Sequence, residues 1–103
     1  MVTSEAITVV RNDDRHRYEA WLGGRMVGHS QYRSRTGQVV FTHTETDPEY
    51  EGQGIGSALA RGALDDVRSR GETVVPECPF IAAYIRGHAA YADLVAPDAD
   101  GRA

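Results

Sequence analysis

Glu51-Gly52-Gln53-Gly54-Ile55-Gly56-Ser57-Ala58-Leu59 is the stretch that decides how this chain is read. Glycines alternate from Gly52 to Gly56, and an alanine- and leucine-rich helical pattern starts directly behind them. Glycine admits positive φ and close approach of backbone to a ligand. A helix N-terminus adds unpaired N–H groups and a partial positive charge, a combination that favours a phosphate. Immediately upstream, Gln38-Val39-Val40-Phe41-Thr42-His43-Thr44-Glu45 is rich in β-branched residues and predicts a strand. Strand, glycine turn and helix together predict a pyrophosphate cradle. On spacing alone, a turn that merely redirects the chain fits equally well. A nucleotide P-loop is excluded because no Gly-Lys-Ser/Thr follows, and the G-x-G-x-x-G spacing of a dinucleotide fold is not met.

At 103 residues the chain predicts one domain, with 1–96 as the folded unit and 97–103 as a frayed tail. A net charge of −4 and scattered arginines give no field for DNA, RNA or anionic lipid, so no nucleic-acid partner is expected. No apolar run approaches the roughly 20 residues of a membrane span. The first residues lack the charged-then-apolar layout of a signal peptide. The single Cys78 excludes an intrachain disulfide and a multi-cysteine zinc site, and His16, His29, His43 and His88 show no ligand spacing. No metal and a cytoplasmic location are the resulting expectations.

Ahead of the glycine turn the pattern predicts a four-strand antiparallel meander. Its strands are Ala6–Val10, Tyr18–Leu22, Met26–Tyr32 and Val39–Thr46. Asn12-Asp13-Asp14, Gly23-Gly24 and Ser34-Arg35-Thr36-Gly37 supply the turns, and Gly28 suggests a bulge. Behind the turn a helix is predicted from Ile55 to Arg70, with Ile55, Leu59, Ala63 and Val67 as its buried stripe. Ala58 and Gly62 beside that stripe are small enough for close packing on a sheet. Gly71 suits the helix stop. Thr73-Val74-Val75 predicts a fifth strand, parallel to Val39–Thr46 because the connection crosses through a helix. A second helix is expected over Phe80–Arg86 with Pro79 at its first position, then a short helical or irregular piece over His88–Val95. The fold class is therefore α/β (α+β): an antiparallel meander followed by a βαβα unit.

With these elements in place the chain resembles the GNAT acyltransferase superfamily, in particular its very small single-domain N-acetyltransferase-like branch. The resemblance rests on His43-Thr44-Glu45, on Gly52-Gln53-Gly54-Ile55-Gly56-Ser57-Ala58-Leu59 and on Cys78-Pro79-Phe80-Ile81-Ala82-Ala83-Tyr84-Ile85, continuing into His88–Leu94. It implies a reduced GNAT-like fold, a mixed sheet splayed to hold acetyl-CoA (coenzyme A), with Thr44, Gln53, Gly54, Ile55, Gly56 and Ser57 binding that cosubstrate. Glu51 stands where the superfamily motif has Gln or Arg. A carboxylate there should turn away from a pyrophosphate. The helices and strands that enclose the acceptor in larger relatives are mostly missing, whereas the cofactor half is present.

Acetyl transfer to an amine needs a neutral nucleophile, a polarised carbonyl and a proton for the departing thiolate. The resemblance makes Tyr84 the expected proton donor; an amphipathic core tyrosine is the plainer alternative. His43 and Glu45 alternate on a strand and so share one face, about 7 Å apart. Either could take a proton from an ammonium, or the two could be a solvated pair. Cys78 stands near the N-cap of the second helix, where it could accept the acetyl group, line the pocket, or simply be a small buried hydrophobe. The expected function is acetyl-CoA-dependent N-acetyl transfer by direct attack, without metal, to an amine acceptor such as a protein or peptide lysine. A non-catalytic CoA-binding module and a protein-interaction domain that keeps the fold are the alternatives.

Overall fold

A computed structural model describes residues 7–97. Ala6, the first residue of the first predicted strand, lies outside them, as does the expected tail apart from Pro97. The elements are β1 (Thr8–Asn12), β2 (Arg17–Leu22), β3 (Arg25–Arg35), β4 (Gln38–Thr46), α1 (Ile55–Ser69), β5 (Thr73–Pro76) and α2 (Pro79–Arg86). Two 3₁₀ segments, Pro48–Tyr50 and Ala89–Leu94, follow β4 and α2. The strands form one sheet in the order β1-β2-β3-β4-β5. The first four are antiparallel neighbours, and β5 runs parallel to β4, as the helical crossover requires. This is an α+β fold with an antiparallel meander, then helix, strand and helix.

Two strands outrun their sequence signals. β3 continues from Tyr32 to Arg35 because Arg33, Ser34 and Arg35 pair with Val40, Val39 and Gln38, which reduces the turn to Thr36-Gly37. Exposed polar side chains do not end a strand whose backbone has a partner. β1 likewise extends to Asn12, where Arg11 is held by Asp13, Glu72 and the hydroxyls of Tyr18 and Tyr32. The Tyr18 hydroxyl also donates to Asp66 of α1 at 2.7 Å, so this polar cluster ties the sheet edge to the helix.

The sheet carries two bulges. Ala20 pairs with Gly28 and Trp21 with Met26, leaving Val27 as the extra residue, next to the expected Gly28. Gly28 has a separate reason to be glycine. A Cβ there would lie 3.1 Å from the Glu45 carbonyl and from Ile55 Cγ2. The second bulge has no glycine to announce it. Tyr32 pairs with Phe41 and Gln31 with His43, so Thr42 of β4 has no partner.

The expected α1 stripe of Ile55, Leu59, Ala63 and Val67 is buried, and Ala60 and Leu64 widen it. A period of 3.6 rather than 4 spreads the apolar face in this way. These residues share one core with Val39 and Phe41 of β4, Val74 of β5, and Ile81 and Ile85 of α2. Val40, Val75 and Ala96 form a separate small cluster. Ala96 N–H donates to the Val74 carbonyl at 2.9 Å, docking the segment after Leu94 against β5.

Gly62 permits the approach of α1 to β1: an added Cβ would sit 2.6 Å from Val9 Cβ. Gly62→Ala should therefore destabilise the fold by about 1–3 kcal/mol of overpacking, set against about 1 kcal/mol gained in helix propensity. Chemical denaturation should show a net loss that Val9→Ala removes. A Gly62→Ala protein more stable than the parent would contradict this packing.

Candidate functional site

The site begins where β4 and β5 part. β5 pairs with β4 only over Gln38–Phe41, and its last residue, Pro76, sits opposite Phe41 without an N–H to offer. Cys78 N–H then donates to the Phe41 carbonyl at 2.8 Å, and the chain turns into α2. From Thr42 to Thr46, β4 pairs with no β5 residue. The Thr42 bulge acts at the same place. Strict alternation would put residues 41, 43 and 45 on one side of the strand. With one extra residue inserted, Phe41 and Thr44 both reach the helix side, while His43 and Glu45 lie exposed.

A groove of about 290 Å³ opens along this free edge. Thr44 and Thr46 of β4 form one wall, Tyr50, Glu51 and Gly52 another, and the start of α1 from Gly54 to Ser57 the floor. Phe80 of α2 closes the side. Gly52 and Gly54 have φ of 84° and 77°, values that cost an L-residue roughly 1–2 kcal/mol. Gly54 is the N-cap of α1 and no side chain caps the helix. The first amides of α1 consequently have no partner within the helix. Gly56 is small for another reason: its Cβ would lie 2.8 Å from Phe80 Cζ, so the ring is seated on the glycine.

Of the residues expected to bind a cosubstrate, Thr44, Gly54, Ile55, Gly56 and Ser57 border this groove. Gln53 does not, and its N–H is already given to the Tyr50 carbonyl at 3.1 Å. Glu51, expected to turn away, stands on the wall. Thr46, Tyr50 and Phe80 are groove residues that sequence reasoning missed. Phe80 belonged to a motif already singled out and is 40% exposed, with its ring bordering the groove. Tyr50 carried no signal. It is placed by a 3₁₀ turn that Asp47 caps through Glu49 N–H, with the Arg25 guanidinium 5.7 Å from its ring centre.

Cys78 is buried, and its sulfur lies 3.3 Å from Thr44 Oγ1. Thr44 Oγ1 is in turn 2.9 Å from Ser30 Oγ, which is wholly buried. Tyr84 is not among the groove residues. Its ring stacks on His88 with centroids 3.9 Å apart, and His88 Nδ1–H donates to the Tyr84 carbonyl at 2.7 Å. His43 and Glu45 do share a face, and His43 Nε2 is 3.1 Å from Glu45 Oε2. That hydrogen bond to His43 holds the Glu45 carboxyl below its usual range. His29, given no role by sequence, sits 3.9 Å from the other Glu45 oxygen. Among the described residues no three His, Cys, Asp or Glu side chains converge as a metal site would require. No described helix is long and apolar enough to cross a membrane.

The family described as GCN5-related N-acetyl-transferase matches residues 17–94, and the chain belongs to it. Solved structures with the same fold include a Staphylococcus aureus protein named for its likeness to GCN5 N-acetyltransferases. It is 16% identical with a TM-score of 0.66, over 86% of this chain and 87% of that one. The ribosomal-protein-S18-alanine N-acetyltransferase of Escherichia coli is 21% identical with a TM-score of 0.54. There the match covers 58% of this chain but only 39% of the other. Among curated proteins no significant match is found.

Burial, reinforced by Arg17, holds the His29 imidazole below its usual value of 6.5. The unfolded chain then binds more protons than the folded one near pH 6, so stability is fullest above pH 6.5 and declines as pH falls through the lower folded value. Denaturation measured in steps from about pH 7 to pH 5 should show this decline, and His29→Gln should flatten it. Equal slopes in parent and variant would contradict it.

Proposed function

We propose that the groove binds acetyl-CoA and that the protein transfers the acetyl group to an amine. One observation carries this reading. The uncapped amides at the start of α1 open onto a groove that runs on along the unpaired edge of β4. An anion suits the first, and an amide-bearing chain such as the pantetheine arm suits the second. The pyrophosphate would rest on the backbone of Gly54–Ser57, with the arm beside Thr44 and Thr46 and the thioester toward Cys78. Glu51 on the wall opposes the anion, so affinity is set by the backbone.

The amine would approach by the exposed side of β4, beside His43 and Glu45. With its Nε2 hydrogen-bonded to an ionised Glu45, His43 keeps Nδ1 as the atom that accepts a proton. The attacking nitrogen adds to the carbonyl, the C–S bond breaks, and the CoA sulfur leaves with the electron pair and is protonated. Cys78 and Tyr84 are the two candidate donors. The Cys78 sulfur lies 3.3 Å from Thr44 of the groove wall, whereas the Tyr84 ring is stacked on His88, so Cys78 is the better placed. The openness of His43 and Glu45 favours a large acceptor, such as a lysine on a peptide or protein, and also leaves room for a second reading. In that reading the protein binds CoA without turning it over.

Acetyl-CoA at 100 times its Kd should stabilise the fold by about 2.7 kcal/mol, which raises Tm by more than about 10 °C in a domain of this size. Gly54→Val should abolish the shift, and Glu51→Gln should enlarge it. No shift at millimolar acetyl-CoA would overturn both readings. With a panel of amines and lysine peptides, Cys78→Ala should lower kcat by about 100-fold and Tyr84→Phe by no more than a few-fold. The reverse order would move the proton donor to Tyr84. The chain contains no lysine, so an added acetyl that hydroxylamine removes and that Cys78→Ala abolishes would lie on Cys78.

A further inference from the structure

Ser30 sits on β3 directly opposite Thr44 of β4, with no exposure at all. A hydroxyl in such a place costs stability unless its proton finds an acceptor. Among the described residues Thr44 Oγ1, at 2.9 Å, is the one hydrogen-bond partner of Ser30 Oγ. This fixes the direction of the pair. If Thr44 donated to Ser30, the Ser30 proton would be left buried with nothing to receive it. Ser30 must therefore donate to Thr44, and the Thr44 proton is turned outward.

Outward from Thr44 lie two things: the sulfur of Cys78 at 3.3 Å, and the groove, whose wall Thr44 forms. Thr44 Oγ1 is thus a donor already set at hydrogen-bonding distance from a sulfur and bordering the ligand space. Its acidity is raised because its own oxygen accepts from Ser30. A donor so polarised gains most when its acceptor is an anion. Thioester cleavage creates one, the thiolate of the departing CoA.

Resting on the acetyl-CoA reading of the groove, we propose that Thr44 is the hydrogen-bond donor to the CoA sulfur and that Ser30 is its positioning residue. No bond is made or broken by the pair. As the acetyl carbon leaves, the electron pair of the C–S bond collects on sulfur, and the Thr44 hydroxyl donates to it. Ser30 keeps Thr44 pointing that way, so removing Ser30 frees the Thr44 hydroxyl to rotate.

Binding rather than turnover tests this, because the acceptor is unidentified. Calorimetric titration at mildly alkaline pH, where a CoA thiol is partly ionised, would compare CoA with desulfo-CoA. The parent should bind CoA about tenfold more tightly, as expected for a hydrogen bond to a charged group. Ser30→Ala, at a residue that does not line the groove, should bring that ratio to within about twofold with desulfo-CoA affinity unchanged; Thr44→Val should lower the ratio likewise, and Thr44→Ser should retain it. A loss of packing would instead weaken both ligands together. A parent that binds both ligands equally, or a Thr44→Val protein with the parent's ratio, overturns the proposal. Failure of the parent to bind either ligand removes the groove reading itself, and the proposal with it.

Discussion

The site depends on one residue too many in β4. Thr42 has no partner on β3, and by inserting it the strand reverses which of its side chains face the helices. Phe41 can then belong to the core while Thr44, three positions on, also turns inward to the groove. The same reversal puts His43 and Glu45 on the exposed side, where they hydrogen-bond to each other. Bulges are a recurrent way to re-aim a side chain beside a site. Here the device works together with Pro76, which ends β5 level with Phe41 and leaves the rest of β4 without a partner on that side. A free strand edge offers backbone N–H and C=O groups that another chain or a ligand can take. A ligand with amides of its own is a natural occupant.

The glycines around the groove divide their work. Gly52 and Gly54 are needed for backbone conformation and have open space where a Cβ would be. Gly56 has an ordinary φ but would strike the Phe80 ring. The first two shape the turn so that helix amides face outward; the third fits the aromatic wall of the groove to its floor. Gly28 and Gly62 let α1 lie close on the sheet at Ile55 and Val9, which fixes where those amides point. The direction of the first α1 amides is therefore a consequence of close packing several residues away.

Much of this was legible in the sequence. Strand order, the parallel fifth strand and the α1 stripe follow from hydrophobic period and crossover length, because both report burial directly. The glycine turn and the Cys78–Ile85 segment both contribute residues to the groove, Gly54–Ser57 from the first and Phe80 from the second. What stayed hidden depended on pairing. The Thr42 bulge has no glycine or proline to mark it, since a threonine in a bulge looks like a threonine in a strand. Without the bulge, the side of β4 that Thr44 faces could not be read, nor its meeting with Ser30 and Cys78. Tyr50 was invisible because a 3₁₀ turn capped by Asp47 carries it into place. Gln53 was assigned through the resemblance, and its N–H is used inside the tight turn. Tyr84 fitted a motif, but its ring lies against His88.

The central claim is that the α1 amides and the free edge of β4 form one continuous cofactor surface. Amide NMR spectra recorded during titration with CoA test it most directly. The account predicts that the largest shifts fall on Gly54–Ser57 and on Thr42–Thr46, with β1 and β2 unmoved. Shifts confined to other parts of the chain, or absent at millimolar CoA, would contradict it.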